Sequence, residues 1–209
     1  MAVGAGVTGW KLGTGEPPSI PVPSPSVAAA PAGAGPLQAK CAAGNMDACN
    51  DLGAAYDAGD GVGKDSAKAV PLFLKACEGG VMMACANAGL LHEFGRGVAE
   101  DKALAVGLYR KSCQGGFPRG CGMLGVMYDN GFGVKVDKGR ALKLFKEGCT
   151  GNDAASCHHL GAKTENGAGL PKDVAEALRL YDRSCELGWS DGCTSAAELR
   201  SGSPAAPAP

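Results

Sequence analysis

Between residues 47 and 58 the small and apolar residues Cys49, Leu52, Gly53 and Tyr56 recur at three- and four-residue steps, so they share one face of a helix. A second stripe, Ala69, Leu72 and Phe73, predicts a helix that runs to Ala76 and reaches Cys77 at its end. Asp65 stands at its N-cap, where a carboxylate accepts hydrogen bonds from the free amides of the first turn. Between the two helices, Gly59-Asp60-Gly61-Val62 predicts a left-handed helix stop and a short turn that returns Val62 to the core. We term the two helices A and B.

The pair repeats every 36 residues. Gly53, Gly89, Gly125 and Gly161 occupy one column, inside helix A, where glycine costs about 1 kcal/mol relative to alanine. Its recurrence predicts a close approach by helix B. The aromatic residues Phe73, Tyr109, Phe145 and Tyr181 form a second column, and the caps Asp65, Asp101, Asp137 and Asp173 a third. Val62, Val98, Val134 and Leu170 fill the turn. A truncated helix around Leu37–Cys41 precedes the array and a lone helix A follows Cys185, which predicts about nine helices plus a stub. The expected fold is all-α, a right-handed superhelical α/α solenoid with a concave side.

All ten cysteines belong to the same lattice: Cys41 and Cys49, Cys77 and Cys85, Cys113 and Cys121, Cys149 and Cys157, Cys185 and Cys193. The common spacing predicts pairing within each motif, which staples the end of helix B to the first turn of the next helix A. Bridges of this kind imply an oxidising compartment: periplasm, cell surface, exterior or an organelle lumen.

Outside the array, residues 14–36 are rich in proline and alanine and poor in large apolar groups, so 1–36 reads as a disordered segment and linker, 37–200 as the solenoid, and 201–209 as a disordered tail. Met1–Gly9 carries no basic residue and no long apolar run, so no export signal is visible there. The apolar residues that end at Trp10 and Lys11 read as the remnant of a membrane anchor or, alternatively, as a disordered terminus. Twenty basic and 21 acidic residues are interspersed without a cluster, which offers no footprint for nucleic acid.

The string Cys-x-x-Gly-x-x-x-x-Cys-x-x-Leu-Gly at Cys113–Gly125, followed by Tyr128-x-x-Gly-x-Gly-Val-x-x-Asp137, resembles the Sel-like repeat, a relative of the tetratricopeptide repeat. With a cysteine pair in every unit, the chain is similar to the bacterial cysteine-rich Hcp proteins. Departures are Asn152 for a loop glycine, and His92 and Thr164 for the tyrosine of helix A. That resemblance implies a secreted or periplasmic solenoid and, through the β-lactamase name often given to the family, penicillin binding or hydrolysis.

The residues give the hydrolase reading little support. No serine is followed by lysine three positions on, Ser190-Asp191-Gly192 stands alone, and Lys163-Thr164-Glu165 lacks the final glycine of a Lys-Thr-Gly motif. His158 and His159 are adjacent and so diverge by about 100 degrees on a helix, unlike a chelating i, i+4 pair. Gly61-Val62-Gly63-Lys64 is a helix connector without P-loop spacing. No catalytic, cofactor or metal residue is expected. Asp57, Glu93, Asp129 and Glu165 share one position near the end of helix A, where the expected role is to accept hydrogen bonds from amides of the following glycine turn.

Recognition is expected at positions that vary between repeats and face the groove: Asn50, Asp51, Asn87, Leu90, Met123, Val126, His158, His159 and Ala162. This mixed surface suits a protein or peptide segment, the alternative ligands being peptidoglycan-like peptides or β-lactams.

Overall fold

The computed structural model of the chain describes residues 34–202. The expectations for the linker, the anchor remnant and most of the tail lie outside the described residues. Within them there are ten helices and no strand: α1 (Gly35–Ala42), α2 (Met46–Ala58), α3 (Ser66–Glu78), α4 (Met82–Glu93), α5 (Lys102–Gln114), α6 (Pro118–Asn130), α7 (Lys138–Thr150), α8 (Ala154–Asn166), α9 (Val174–Glu186) and α10 (Ser190–Ser201). The stub α1 takes in Gly35 and Pro36, which the sequence assigned to the linker. No helix of the described residues is long and apolar enough to cross a membrane.

Each helix packs on its neighbours in sequence. The A helices α4, α6, α8 and α10 also touch one another in succession, while the substantial packing includes no two successive B helices. The A helices therefore line the tighter, inner face of the superhelix, and the B helices spread apart on the outer face.

The glycine column explains how A and B come together. A Cβ at Gly53 would stand 2.9 Å from the Phe73 ring, at Gly89 2.6 Å from Tyr109, at Gly125 2.8 Å from Phe145 and at Gly161 2.9 Å from Tyr181. Each ring of helix B is seated on the bare backbone of helix A, and Tyr109 and Phe145 are almost wholly shielded from water. Burying such a ring stabilises by roughly 2–3 kcal/mol, which outweighs the propensity cost of the glycine beneath it.

The predicted stops and caps are present. Gly59, Gly131 and Gly167 close α2, α6 and α8 in the left-handed conformation. Asp65, Asp101, Asp137 and Asp173 accept from the amides of Lys68, Leu104, Arg140 and Glu176 at 2.8–3.1 Å. Asn152, which replaces a loop glycine, keeps the left-handed backbone at φ 70°, a conformation asparagine tolerates.

All five bridges form within their motifs, with Cα atoms 4.5–4.7 Å apart, and no cysteine is free. Each ties a B helix to the next A helix. Such a set persists in oxidising, extracytoplasmic surroundings.

The acidic column departs from its expected role. Its carboxylates turn toward side chains of helix B or the next repeat and leave the glycine-turn amides to backbone carbonyls, as in the bond from Gly59 N to Ala55 O. Glu93 accepts from the Tyr109 hydroxyl at 2.6 Å and Glu165 from that of Tyr181 at 2.8 Å. Where helix B instead offers phenylalanine the acid is the shorter aspartate: Asp57 accepts from Ser66 and Arg96, and Asp129 accepts from Lys163 and forms an ion pair with Lys138, which donates to the Asp129 carbonyl. The physical reason is reach. A phenol standing over the glycine meets a glutamate one helical turn on, whereas a phenylalanine leaves the carboxylate free to hold a cation.

Candidate functional site

Variable positions on the A helices converge in two hollows of the inner face. In the N-terminal half, Asn50 donates to the Asp51 carboxylate at 3.2 Å and accepts from Asn87 at the same distance, which links α2 to α4. Asn87 and Leu90 then line a cavity of about 240 Å³ together with Ala54, Asp57 and Arg96. The Arg96 guanidinium is committed to Asp57 at 2.6 Å, so this hollow is small and internally paired.

A second cavity, of about 320 Å³, opens between α6, α8 and the start of α10. Met123, Val126 and His159 line it, and Gly122 lies bare against Ser156 and Asp153, where a Cβ would clash. Arg119, Asp153 and Trp189 complete the wall. The Trp189 side chain is 39% exposed although it is a large apolar group, and it occupies the N-cap of α10 without capping it. Asp153 is held by its own helix, accepting from the amide and hydroxyl of Ser156 at 2.9 and 2.5 Å. Arg119 is exposed and is therefore the cation that the cavity offers to a ligand.

His159 stacks on Phe145 with centroids 5.0 Å apart. Burial lowers its pKa, and the nearby His158 and Lys163 act in the same direction against Asp129 and Asp153. The ring is thus a neutral aromatic wall near pH 7. His158 turns away toward α10, where Nε2 lies 3.2 Å from Ser195 Oγ, and burial lowers its pKa too, opposed by Asp191. Ala162 packs in the small cluster around Tyr181 and Ala196. The inner-face prediction therefore divides: Met123, Val126 and His159 share one hollow, Asn87 and Leu90 another, Asn50 and Asp51 brace the latter, and His158 and Ala162 lie outside both.

Arg119, Asp153 and Trp189 were not anticipated. Trp189 had a legible signal, because its column reads Asn45, Val81, Phe117, Asp153, Trp189, a cap site in which a bulky aromatic has no capping role. Among the described residues the cluster of ligand-type side chains Cys113, Cys121 and Glu147 has both sulfurs in a disulfide, so it presents no thiolate to a metal.

A family model described as Sel1 repeat matches residues 47–81, 83–117, 118–153 and 154–189. No curated protein matches the chain. Among solved structures it is similar to a Sel1 repeat protein from Oxalobacter formigenes, with 27% identity and a TM-score of 0.74 over 78% of this chain and 65% of that one. It is similar at 31% identity to a protective antigen present in uropathogenic Escherichia coli strains displaying an SLR fold, with a TM-score of 0.67 over 78% of this chain and 35% of that one. The Helicobacter pylori cysteine rich protein B is also 31% identical, with a TM-score of 0.51 over 63% of this chain and 95% of that one. The chain spans less than two thirds of the length of the first two. The matched units cover most of the described residues and leave α1 and α10 as partial units at the ends. On this repeat, its glycine–aromatic seats and its capping aspartates, the chain belongs to the Sel1 repeat family, whose fold is a scaffold for protein–protein interaction.

Proposed function

We propose that the chain is an exported scaffold that binds an extended protein segment along the inner face of its A helices, with one anchor side chain in the cavity between Met123 and Trp189. The observation that carries this reading is the cavity itself: apolar walls from Met123, Val126, His159 and Trp189 beside the Arg119 guanidinium. An aromatic or aliphatic side chain next to a carboxylate matches that surface, and exposed tryptophan and arginine are the residue types that dominate binding energy at interfaces. The five bridges support a position outside the cytoplasm.

Selection from a displayed peptide library against the oxidised protein tests the reading. Enriched peptides are expected to carry an apolar residue beside an acid or a free C-terminus, and Trp189→Ala and Arg119→Ala are each expected to weaken them about tenfold or more. Peptides that bind both variants as tightly as the parent would overturn it.

One observation favours a second reading, hydrolysis of a β-lactam or of a related peptidoglycan-like peptide. Ser195 Oγ and His158 Nε2 are within hydrogen-bond reach at 3.2 Å, the arrangement of a nucleophile and its base. Against it, both residues lie inside helices, α8 and α10, where the backbone amides are engaged and leave no oxyanion hole. Turnover of a chromogenic β-lactam that Ser195→Ala abolishes would establish this reading in place of the scaffold alone; the expected result is no turnover by either protein.

A further inference from the structure

The outer face carries grooves between successive B helices, each floored by the A helix beneath. In the first and third repeats a tyrosine of helix A rises into this groove. Tyr128 lies under the Arg140 guanidinium, 4.6 Å from the ring centroid, and its hydroxyl accepts from Arg110 at 3.3 Å. Tyr56 has Lys68 at the equivalent place, 5.5 Å from its ring. In the second repeat the buried His92 fills the position. In the fourth the residue is Thr164, whose hydroxyl turns back to the carbonyl of Leu160.

The groove is widest where the ring is lost. The groove over α6 holds a cavity of about 220 Å³ and that over α2, bounded on one side by the short α1, about 380 Å³, while that over α8 holds about 480 Å³. Its walls are Leu142, Leu160, Leu170 and Leu180, with Thr164 at the floor. In the third repeat the equivalents Leu124 and Leu144 are only 2% and 7% exposed, whereas Leu160 and Leu180 are partly open to solvent. Lys146, which stands where Arg110 stands one repeat earlier, keeps a donor at the rim. Glu176 occupies the place of Arg140 and is drawn to Arg179 at 2.8 Å.

We infer that the outer groove over Thr164 is a receptor for a tyrosine side chain presented by a partner protein. The filled groove of the third repeat defines the ligand: a phenol on a polypeptide, its ring between leucines and its hydroxyl toward the cation on the preceding B helix. The site lies on the opposite face from the Met123–Trp189 cavity and is independent of the inner-face reading.

The test is methyl NMR of the oxidised full chain titrated with N-acetyltyrosinamide and N-acetylphenylalaninamide. The tyrosine probe is expected to shift the methyls of Leu142, Leu160 and Leu180 saturably, and the phenylalanine probe to bind about threefold to tenfold more weakly for want of the hydrogen bond to Lys146. Thr164→Tyr, which supplies the ring internally, is expected to abolish both titrations. Glu176→Arg restores the cation over the ring and is expected to tighten the tyrosine probe about threefold, a gain that misfolding cannot imitate. Lys146→Met, which removes the donor, is expected to erase the preference between probes. Shifts that are absent in the parent protein, or that persist unchanged in a folded Thr164→Tyr variant, or no gain with Glu176→Arg, would overturn the assignment.

Discussion

The third and fourth repeats share the kinds of contact that assemble the fold and differ where the surface opens. Gly125 under Phe145 matches Gly161 under Tyr181, Asp137 caps α7 as Asp173 caps α9, and Cys149–Cys157 joins one repeat to the other. Yet Tyr128 becomes Thr164, Met123 becomes His159, and the Asp129 that holds Lys138 and Lys163 becomes a Glu165 that accepts from Tyr181. The contrast teaches that the constant columns fix how helices meet, and the varied columns decide what each face can hold.

The largest effect should come from removing what the repeats share. Each bridge closes a loop of about nine residues, worth about 2.6 kcal/mol in the chain-entropy model. Five together are comparable to the whole stability of an ordinary domain, about 5–15 kcal/mol. Complete reduction is therefore expected to abolish the cooperative thermal transition seen by circular dichroism. The Cys149→Ala/Cys157→Ala variant should lower stability by about 2–3 kcal/mol and leave the remaining helices folded.

Next come the glycine seats. Gly125→Ala pushes a methyl into the Phe145 ring and is expected to cost about 1–3 kcal/mol in chemical denaturation. Gly107 lies inside α5 with open space where its Cβ would go, so Gly107→Ala should instead stabilise by up to about 1 kcal/mol. Equal signs for the two substitutions would break the claim that ring seating explains the glycine column.

The acid–aromatic pairs give a smaller effect. Phe145→Tyr beside Asp129 and Asp129→Glu beside Phe145 are each expected to destabilise, and the double variant to recover about 1 kcal/mol by recreating the Tyr109–Glu93 pair.

Titration separates the repeats by the smallest margin. Burial, reinforced by Glu93 and Glu165, raises the pKa of Tyr109 and Tyr181 above the usual 10.0. The folded chain then holds phenol protons that the unfolded chain releases, so stability is full below pH 10 and falls as pH rises beyond it. Tyr109→Phe and Tyr181→Phe should blunt this fall in urea titrations at alkaline pH, whereas changes at Phe73 and Phe145 have no phenol to remove. At the other end, His158 and His159 have pKa values below the usual 6.5, so their contribution is full above that pH and is lost as pH falls beneath it.

Much of this was legible in the sequence, because a 36-residue period exposes each column several times. The helix pair, the caps, the ring seats and the bridges follow from columns whose residue type demands one geometry. The partners of Asp57, Glu93, Asp129 and Glu165 did not follow, since a carboxylate accepts from amide, phenol or cation alike; the alternation Phe–Asp, Tyr–Glu, Phe–Asp, Tyr–Glu was nevertheless on view. The inner-face cavity was half legible. Helical spacing brought out Met123, Val126 and His159, but Arg119 and Trp189 reach it from the start of one helix and the cap of another, where periodicity carries no information.

The most direct test of the scaffold reading is to map where a selected peptide binds, by NMR of the oxidised chain with labelled methyl groups and tryptophan indole. The account predicts saturable shifts of Met123, Val126 and the Trp189 indole that Arg119→Ala weakens. Shifts confined to the outer helices, or none at these three residues while the peptide is bound, would contradict it.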